Sequence, residues 1–383
     1  MKRLLIPIWL MIIPFYGILA QPPRENPPHL TLVFPQGIVL DNASIYGISS
    51  APLSTVDMLP GSNPASLANY SRHALGVSFQ YNTVIKKPFL VLDGELRRLY
   101  PLIPQSAALV FPRERITFAL GFNQKYSSKR DLGEISVHTV SGNEFSFRPI
   151  FDTYVYSASG MLAYTVRNFF RPDHELTIGV QLNVDFLRDF QKMDRVEARA
   201  IDRAITWKAG LLYKMTRRFH VGAYYERGSH FEGIVQSNAD QVLIGAEDST
   251  FVGVEQKVTF IGDLPDKMVF GVMVNTGNTF SLTLNAGSVL WNGVSDELKN
   301  QIELSGSVMA KISPQWSTSI GFYTTDRKYK DAEGSIYNAV YLTGGASFQL
   351  STVKVSFLVA DSHLFSDETR KETMIKTGLT FPL

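Results

Sequence analysis

The sequence predicts an all-β chain: a transmembrane antiparallel β-barrel of about fourteen strands with an N-terminal hatch inside its lumen. Three observations point there. From His73 onward apolar and polar residues alternate almost without a break, in segments that approach the ~9–11 residues a tilted strand needs to cross a bilayer. The chain opens on a secretory leader, yet no later apolar run is long enough to span as a helix. Short and long connections alternate along the chain, as in outer-membrane barrels whose short turns lie on the periplasmic side.

Lys2 and Arg3, the apolar run from Leu4 to Leu19 and the small Ala20 make residues 1–20 a signal peptide. Residues 21–72 hold a proline-rich extended leader and then the hatch, and residues 73–383 the barrel. Removing Lys2 and Arg3 from the 37 basic residues leaves 35, equal to the 35 acidic ones, which argues against a nucleic-acid partner. With no cysteine, disulfides, thiolate zinc sites and a lipid-bearing cysteine are excluded. The chain is 45% hydrophobic and 12% aromatic with mean hydropathy near zero, too polar for a membrane protein built of helices.

Just ahead of the first alternating segment stands Leu59-Pro60-Gly61-Ser62-Asn63-Pro64-Ala65. Its prolines bar a strand, and small apolar neighbours argue against a solvated linker. It reads as a knot of turns enclosed by the barrel, with Asn63, Pro64 and Ala65 as the hatch motif and Asn63 satisfying turn backbone groups.

The strands come in order after it. Leu75, Val77, Phe79 and Tyr81 oppose Gly76, Ser78 and Gln80; Ile116, Phe118, Leu120 and Phe122 oppose Thr117, Gly121 and Asn123. Leu176 to Phe186 alternates with Thr177, Gly179, Gln181, Asn183 and Asp185, and Ile205 to Tyr213 with Thr206, Lys208 and Gly210. Phe219 to Tyr225, Phe280 to Ala286, Ile302 to Val308, Trp316 to Phe322, Val353 to Val359 and Ile375 to Phe381 repeat the pattern. One face is bulky and apolar, the other rich in Gly, Ser, Thr and Asn. A soluble barrel has its greasy face inside; lipid outside and a crowded, partly polar lumen inside fit this order. Tyr81, Tyr126, Tyr213, Trp291 and Trp316 fall near segment ends, where amphipathic rings suit the membrane interfaces.

Long connections are expected at Lys86–Pro104, Ser127–Ile150, Asp189–Arg199, Ile234–Gly253, Asn292–Asn300 and Asp326–Ser335. The stretch Val258–Val274 carries Gly262-Asp263-Leu264-Pro265-Asp266 in its middle and reads as one long strand bent at Pro265, since proline in a closed sheet needs a bulge.

Chemistry is scarce. Seven scattered histidines show no metal-ligand spacing, and neither a phosphate loop nor a nucleophile elbow is present, so no enzyme, cofactor or metal is expected. His220, Tyr224 and Glu226 share the lumen face, where polar groups generally satisfy one another. Tyr224, Met273, Tyr341 and Leu358 give that lumen apolar patches and are the candidate ligand contacts, so an amphipathic or hydrophobic ligand suits it better than an ion.

Asn63-Pro64-Ala65 before the first strand resembles the hatch-to-barrel junction of the FadL long-chain fatty-acid transporter family. Leu264-Pro265-Asp266-Lys267-Met268-Val269-Phe270-Gly271-Val272 is similar to that family's Leu-Pro segment leading into a membrane strand. The order after it, the Phe280 strand, Trp291 before a loop and the late turn Pro314-Gln315-Trp316, is similar too. The resemblance implies a fourteen-stranded, hatch-closed barrel in the outer membrane of a Gram-negative-type bacterium. It also implies passive uptake of hydrophobic molecules of fatty-acid or aromatic-hydrocarbon type, with lipid and such ligands as partners. The family route leaves sideways through an inward kink in the third strand, for which Gly121 is the candidate. The family's carboxylate-holding basic residues have no match, which leaves the charge of the ligand open. The alternative is a barrel that docks or assembles secretion-system proteins and transports nothing small.

Overall fold

The computed structural model describes residues 30–32, 43–48, 50–82, 104–131, 134–138, 144–193, 196–241, 252–294, 299–326, 338–365 and 373–383. The signal peptide and the leader, residues 21–29, lie outside them.

Alternation with period two has the expected consequence: a fourteen-stranded antiparallel barrel. Its strands are β1 (Ala74–Asn82), β2 (Pro104–Arg113), β3 (Ile116–Asp131), β4 (Pro149–Arg167), β5 (Glu175–Met193) and β6 (Val196–Lys214). Strand β7 comes in two segments, Phe219–Glu226 and His230–Gln241, and so does β8, as Val252–Asp263 and Asp266–Thr276. Then come β9 (Phe280–Leu290), β10 (Gln301–Lys311), β11 (Trp316–Asp326), β12 (Asn338–Leu350), β13 (Val353–Asp361) and β14 (Thr373–Pro382). Strand β14 pairs with β1 from Met374↔Asn82 to Pro382↔Ala74, which closes the sheet on itself.

The outward side chains are apolar and uncovered: Leu182 is 67% exposed, Ile205 82% and Ile320 71%. A continuous belt of this kind needs lipid rather than water against it. Facing inward on the same strands, Gln181, Asn183, Asp185, Thr206 and Lys208 are almost wholly buried.

Val258–Val274 is one bent strand. Both halves of β8 keep β7 as their neighbour, with Glu226↔Lys267 on one side of the break and His230↔Asp263 on the other. Pro265 has no N–H to give a ladder. Around it Leu264 N donates to Ser229 O (2.8 Å) and Gly228 N to Asp266 Oδ1 (2.7 Å), so both strands bend together.

Three expected long connections are in part strand. Between Ser127 and Ile150, β3 runs on to Asp131 and a hairpin pairs Ile135–His138 with Glu144–Phe147. Asp189–Arg199 is almost all strand, since β5 and β6 are 19 residues each. Beyond Ile234, β7 continues to Gln241. Beyond the bilayer both faces meet water, so hydrophobic alternation fades while the backbone ladder continues. Glu197 there pairs with Lys192 (3.2 Å) and Arg199 (3.1 Å) on the exposed sheet.

Ladder register shifts once in β3, between Gln124 and Tyr126. The extra residue, Lys125, reverses the parity of the rest of the strand. Tyr126, expected at a membrane interface, therefore turns into the lumen and is 5% exposed. Trp291 is likewise buried, donating from Nε1 to Gln301 Oε1 (2.7 Å).

Inside the wall lie a two-rung hairpin (Ala43–Ser44 with Gly47–Ile48) and two 3-10 turns, Val56–Gly61 and Pro64–Asn69. Leu30–Leu32 pairs in parallel with Phe260–Gly262 of β8.

Candidate functional site

The hatch is built around Asn63. Its Oδ1 accepts from Ala65 N (3.0 Å), capping the Pro64–Asn69 turn, and its Nδ2 donates to Ala51 O and to Leu211 O of β6, both at 2.9 Å. Pro64 supplies the fixed φ of a first helical position and brings no N–H that would need a partner. Asn63, Pro64 and Ala65 are thus one unit, 0% exposed at Asn63 and Ala65, clamped to the wall.

Wall glycines receive this unit. A Cβ at Gly210 would overlap Asn63 Oδ1, one at Gly179 the backbone of Ala65, and one at Gly222 the carbonyl of Ala51. A Cβ at Gly121 would lie 2.6 Å from Pro60 Cγ, and one at Gly76 would overlap the backbone N of Asp57. Glycines on β1, β3, β5, β6 and β7 thus let the hatch backbone approach closer than any side chain allows. On the far side, Ser307 Oγ donates to Tyr46 O (2.6 Å), Ser305 Oγ donates to Ile48 O, and Ala51 N donates to Asn285 Oδ1 (3.1 Å).

Above Pro60 lies a buried charged layer. Pro60 O accepts from Gln181 Nε2 (2.9 Å) and Lys208 Nζ (3.1 Å). Lys208 also meets Glu226 Oε2 (3.0 Å), and Lys125, the bulge residue of β3, meets Glu226 Oε1 (2.9 Å) and Asp185 Oδ2 (3.0 Å). Asp185 Oδ2 further accepts from Thr206 Oγ1 (2.8 Å) and Ser229 Oγ (2.6 Å). Two lysines thus face two carboxylates, a pairing that buried charges require.

One step further along each strand the lumen turns apolar. Tyr126 comes after Lys125, Leu187 after Asp185 and Phe231 after Ser229, while Ala204 precedes Thr206 on the inward face. With Val155, Ala200 and Phe260 they form one cluster, in which Phe231 and Phe260 are 0% exposed. The bend in β7 and β8 carries these two rings inward over the lumen.

The wall beside this cluster is not fully knitted. Strand β6 pairs with β7 at Lys208–Lys214 and again at Glu197–Arg199, but residues 200–206 have no ladder partner among residues 228–235. Asp202 spans the interval instead, accepting from Glu232 N on Oδ2 (2.8 Å).

Gly121, expected to kink its strand, sits in regular register between Ala108 and Ser159, and the irregularity of that strand comes at Lys125. Tyr224 packs on Ala51 of the hatch with Val269, and Tyr341 and Leu358 pack with Ala43 and Ile48. Met273 is 1% exposed, opposite His220 in the β7–β8 ladder. Sequence reasoning passed over Lys125, Asp185 and Lys208 as a set. Their signal was available: all three have the inward parity of their strands, just beyond the small residues of the inner face.

No protein-family model matches the sequence, and no curated protein matches it either. Solved structures do match. The toluene transporter TbuX of Ralstonia pickettii has TM-score 0.64 at 13% identity, over 89% of this chain and 98% of that one. A FadL homologue from Pseudomonas aeruginosa has 0.62 at 12%, over 91% and 100%. The toluene transporter TodX of Pseudomonas putida has 0.58 at 12%, over 92% and 98%. Likeness at such identities is likeness of fold: over about nine-tenths of its length this chain has the barrel fold of those proteins.

Proposed function

We propose that the protein is an outer-membrane channel of a Gram-negative-type bacterium for passive uptake of hydrophobic small molecules of fatty-acid or aromatic-hydrocarbon type. The apolar cluster of Tyr126, Val155, Leu187, Ala200, Ala204, Phe231 and Phe260, held inside a barrel above a plugged floor, carries the reading. Burying so many apolar groups in a lumen recommends it for an apolar guest rather than for ions. The named neighbours are a toluene transporter and a FadL homologue, which supports uptake over the docking of secretion proteins.

The closed parts of the barrel favour a sideways route. The hatch fills the periplasmic half and is seated on glycine backbone, so straight passage would require it to leave. The interval between residues 200–206 and 228–235 lies directly beside the cluster, and the exposed Ile201, Ile205 and Ile234 surround it outside. A sideways exit therefore belongs between β6 and β7 rather than at Gly121. Cells with an intact lipopolysaccharide outer leaflet, which resists apolar solutes, test the function: those carrying the barrel should take up toluene faster than cells without it, while uptake of hydrophilic solutes should be unchanged. Equal toluene entry with a folded barrel overturns it, and stable copurifying partners in mild detergent would then favour the docking role.

A further inference from the structure

The charged layer beneath the apolar cluster bears on which hydrophobic molecules the lumen accepts, and so rests on the uptake reading. A ligand with a carboxylate head needs a cation at the end of its apolar bed, because a desolvated carboxylate without a partner is far costlier than the apolar burial returns. Two cations stand at that place, Lys125 and Lys208, with side chains 8% and 0% exposed. Both are already matched.

Glu226 is the residue that matches both. Its two oxygens are divided, Oε1 to Lys125 (2.9 Å) and Oε2 to Lys208 (3.0 Å). Lys125 has a second carboxylate in Asp185 (3.0 Å) and accepts no further charge without losing one. The remaining donors of the layer are spent too: Lys208 on Pro60 O (3.1 Å), Gln181 on Pro60 O and Asn183, and Thr206 and Ser229 on Asp185. Among the described residues, Asp185 Oδ1 and Gln181 Oε1 are buried without a hydrogen-bond partner, and so are Ser157 Oγ and Asn123 Nδ2 beside them on β4 and β3. An incoming carboxylate would meet two lysines already matched by two carboxylates, with no cation to spare.

We infer that Glu226 is a specificity residue that pre-neutralises Lys125 and Lys208, so that the lumen takes uncharged apolar compounds and rejects carboxylates of the same length. The two lysines fasten three separate parts: the hatch through Pro60, β5 through Asp185 and β7 through Glu226. Selection against anions comes from the acids that keep those lysines soluble in the protein interior. One carboxylate removed should convert the floor into an anion site.

The experiment compares two chain-matched probes, dodecanol and dodecanoate, for binding to the detergent-purified barrel by equilibrium dialysis, with toluene as a third. The wild-type protein should hold toluene and dodecanol, and hold dodecanoate at least tenfold more weakly. Glu226→Gln should gain at least tenfold in dodecanoate affinity with little change for dodecanol. Should Glu226→Gln fail to assemble, Asp185→Asn, which releases Lys125, gives the same comparison. Wild-type affinity for dodecanoate equal to or above that for dodecanol overturns the inference, as does a folded acid-to-amide variant without the gain. Binding of none of the three probes would instead overturn the uptake reading, so the two failures are told apart.

Discussion

Asn63 Nδ2 donates to Leu211 O in the barrel wall at 2.9 Å, across 148 positions of sequence. Together with its bonds to Ala51 and Ala65, this makes one side chain the tie between the Ala51 segment, the Pro64–Asn69 turn and the wall. In Asn63→Ala the buried Ala51 carbonyl and Ala65 N–H lose their bond to Asn63, and the Leu211 carbonyl loses its tie to the hatch. At about 1–3 kcal/mol for each buried polar group left unmade, the hatch should loosen while the barrel still assembles. Solute leak into liposomes should rise, with heat-modifiable gel mobility unchanged; an unaltered leak would remove the clamp role.

Gly179→Ala tests the seat itself. Its methyl would overlap the Ala65 backbone, which no rotamer relieves, so the hatch must shift. Gly160→Ala is the control, because nothing lies within 4 Å of a Cβ there. Limited proteolysis should cut the hatch of the first variant and leave the second like wild type.

The β6–β7 interval can be locked. A Cβ at Gly233 would lie 3.7 Å from Asp202 Cβ, within disulfide range, and the chain has no other cysteine to interfere. Asp202→Cys with Gly233→Cys should halt toluene entry when oxidised and restore it on reduction. Full transport by the oxidised protein would place the exit elsewhere.

Asp57 gives the hatch a pH dependence. Burial pushes its carboxyl above the ordinary 3.8, with Lys376 and Lys354 pulling the other way. The docked hatch therefore binds the proton more tightly than the released hatch does. Stability from this group is complete below 3.8 and is lost as pH rises from there through the raised value. Asp57→Asn should hold the hatch more firmly at neutral pH and flatten that dependence, measured as protease susceptibility between acid and neutral pH. A steeper dependence in the variant would contradict the sign.

The barrel was legible because lipid writes period two into every spanning strand: Leu176 to Phe186 needs no other explanation. The bend at Pro265 was legible because proline cannot serve a ladder. Less could be read where the medium is the same on both faces, as at Asp189–Arg199, or where one inserted residue reverses parity, as Lys125 does for Tyr126. Tyr224, Tyr341 and Leu358 were recognisable as inward and apolar, but they also pack with hatch residues, which depends on a docking that no local pattern encodes. The glycines were visible as a composition of the inner face. Their use, as the print of another piece of chain, was not.

Asp57 touches both sides of the junction that closes the barrel. A Cβ at Gly76 on β1 would overlap its backbone N, and one at Gly378 on β14 would lie 2.6 Å from its Oδ2. These two strands are the first and last to be made, and Gly378 pairs with Ser78, two residues from Gly76. Circularising the wall and seating the plug therefore use the same few ångströms of backbone. During biogenesis the ring would zip shut around a segment already in place, and a chain whose plug is misplaced would have no snug junction to complete.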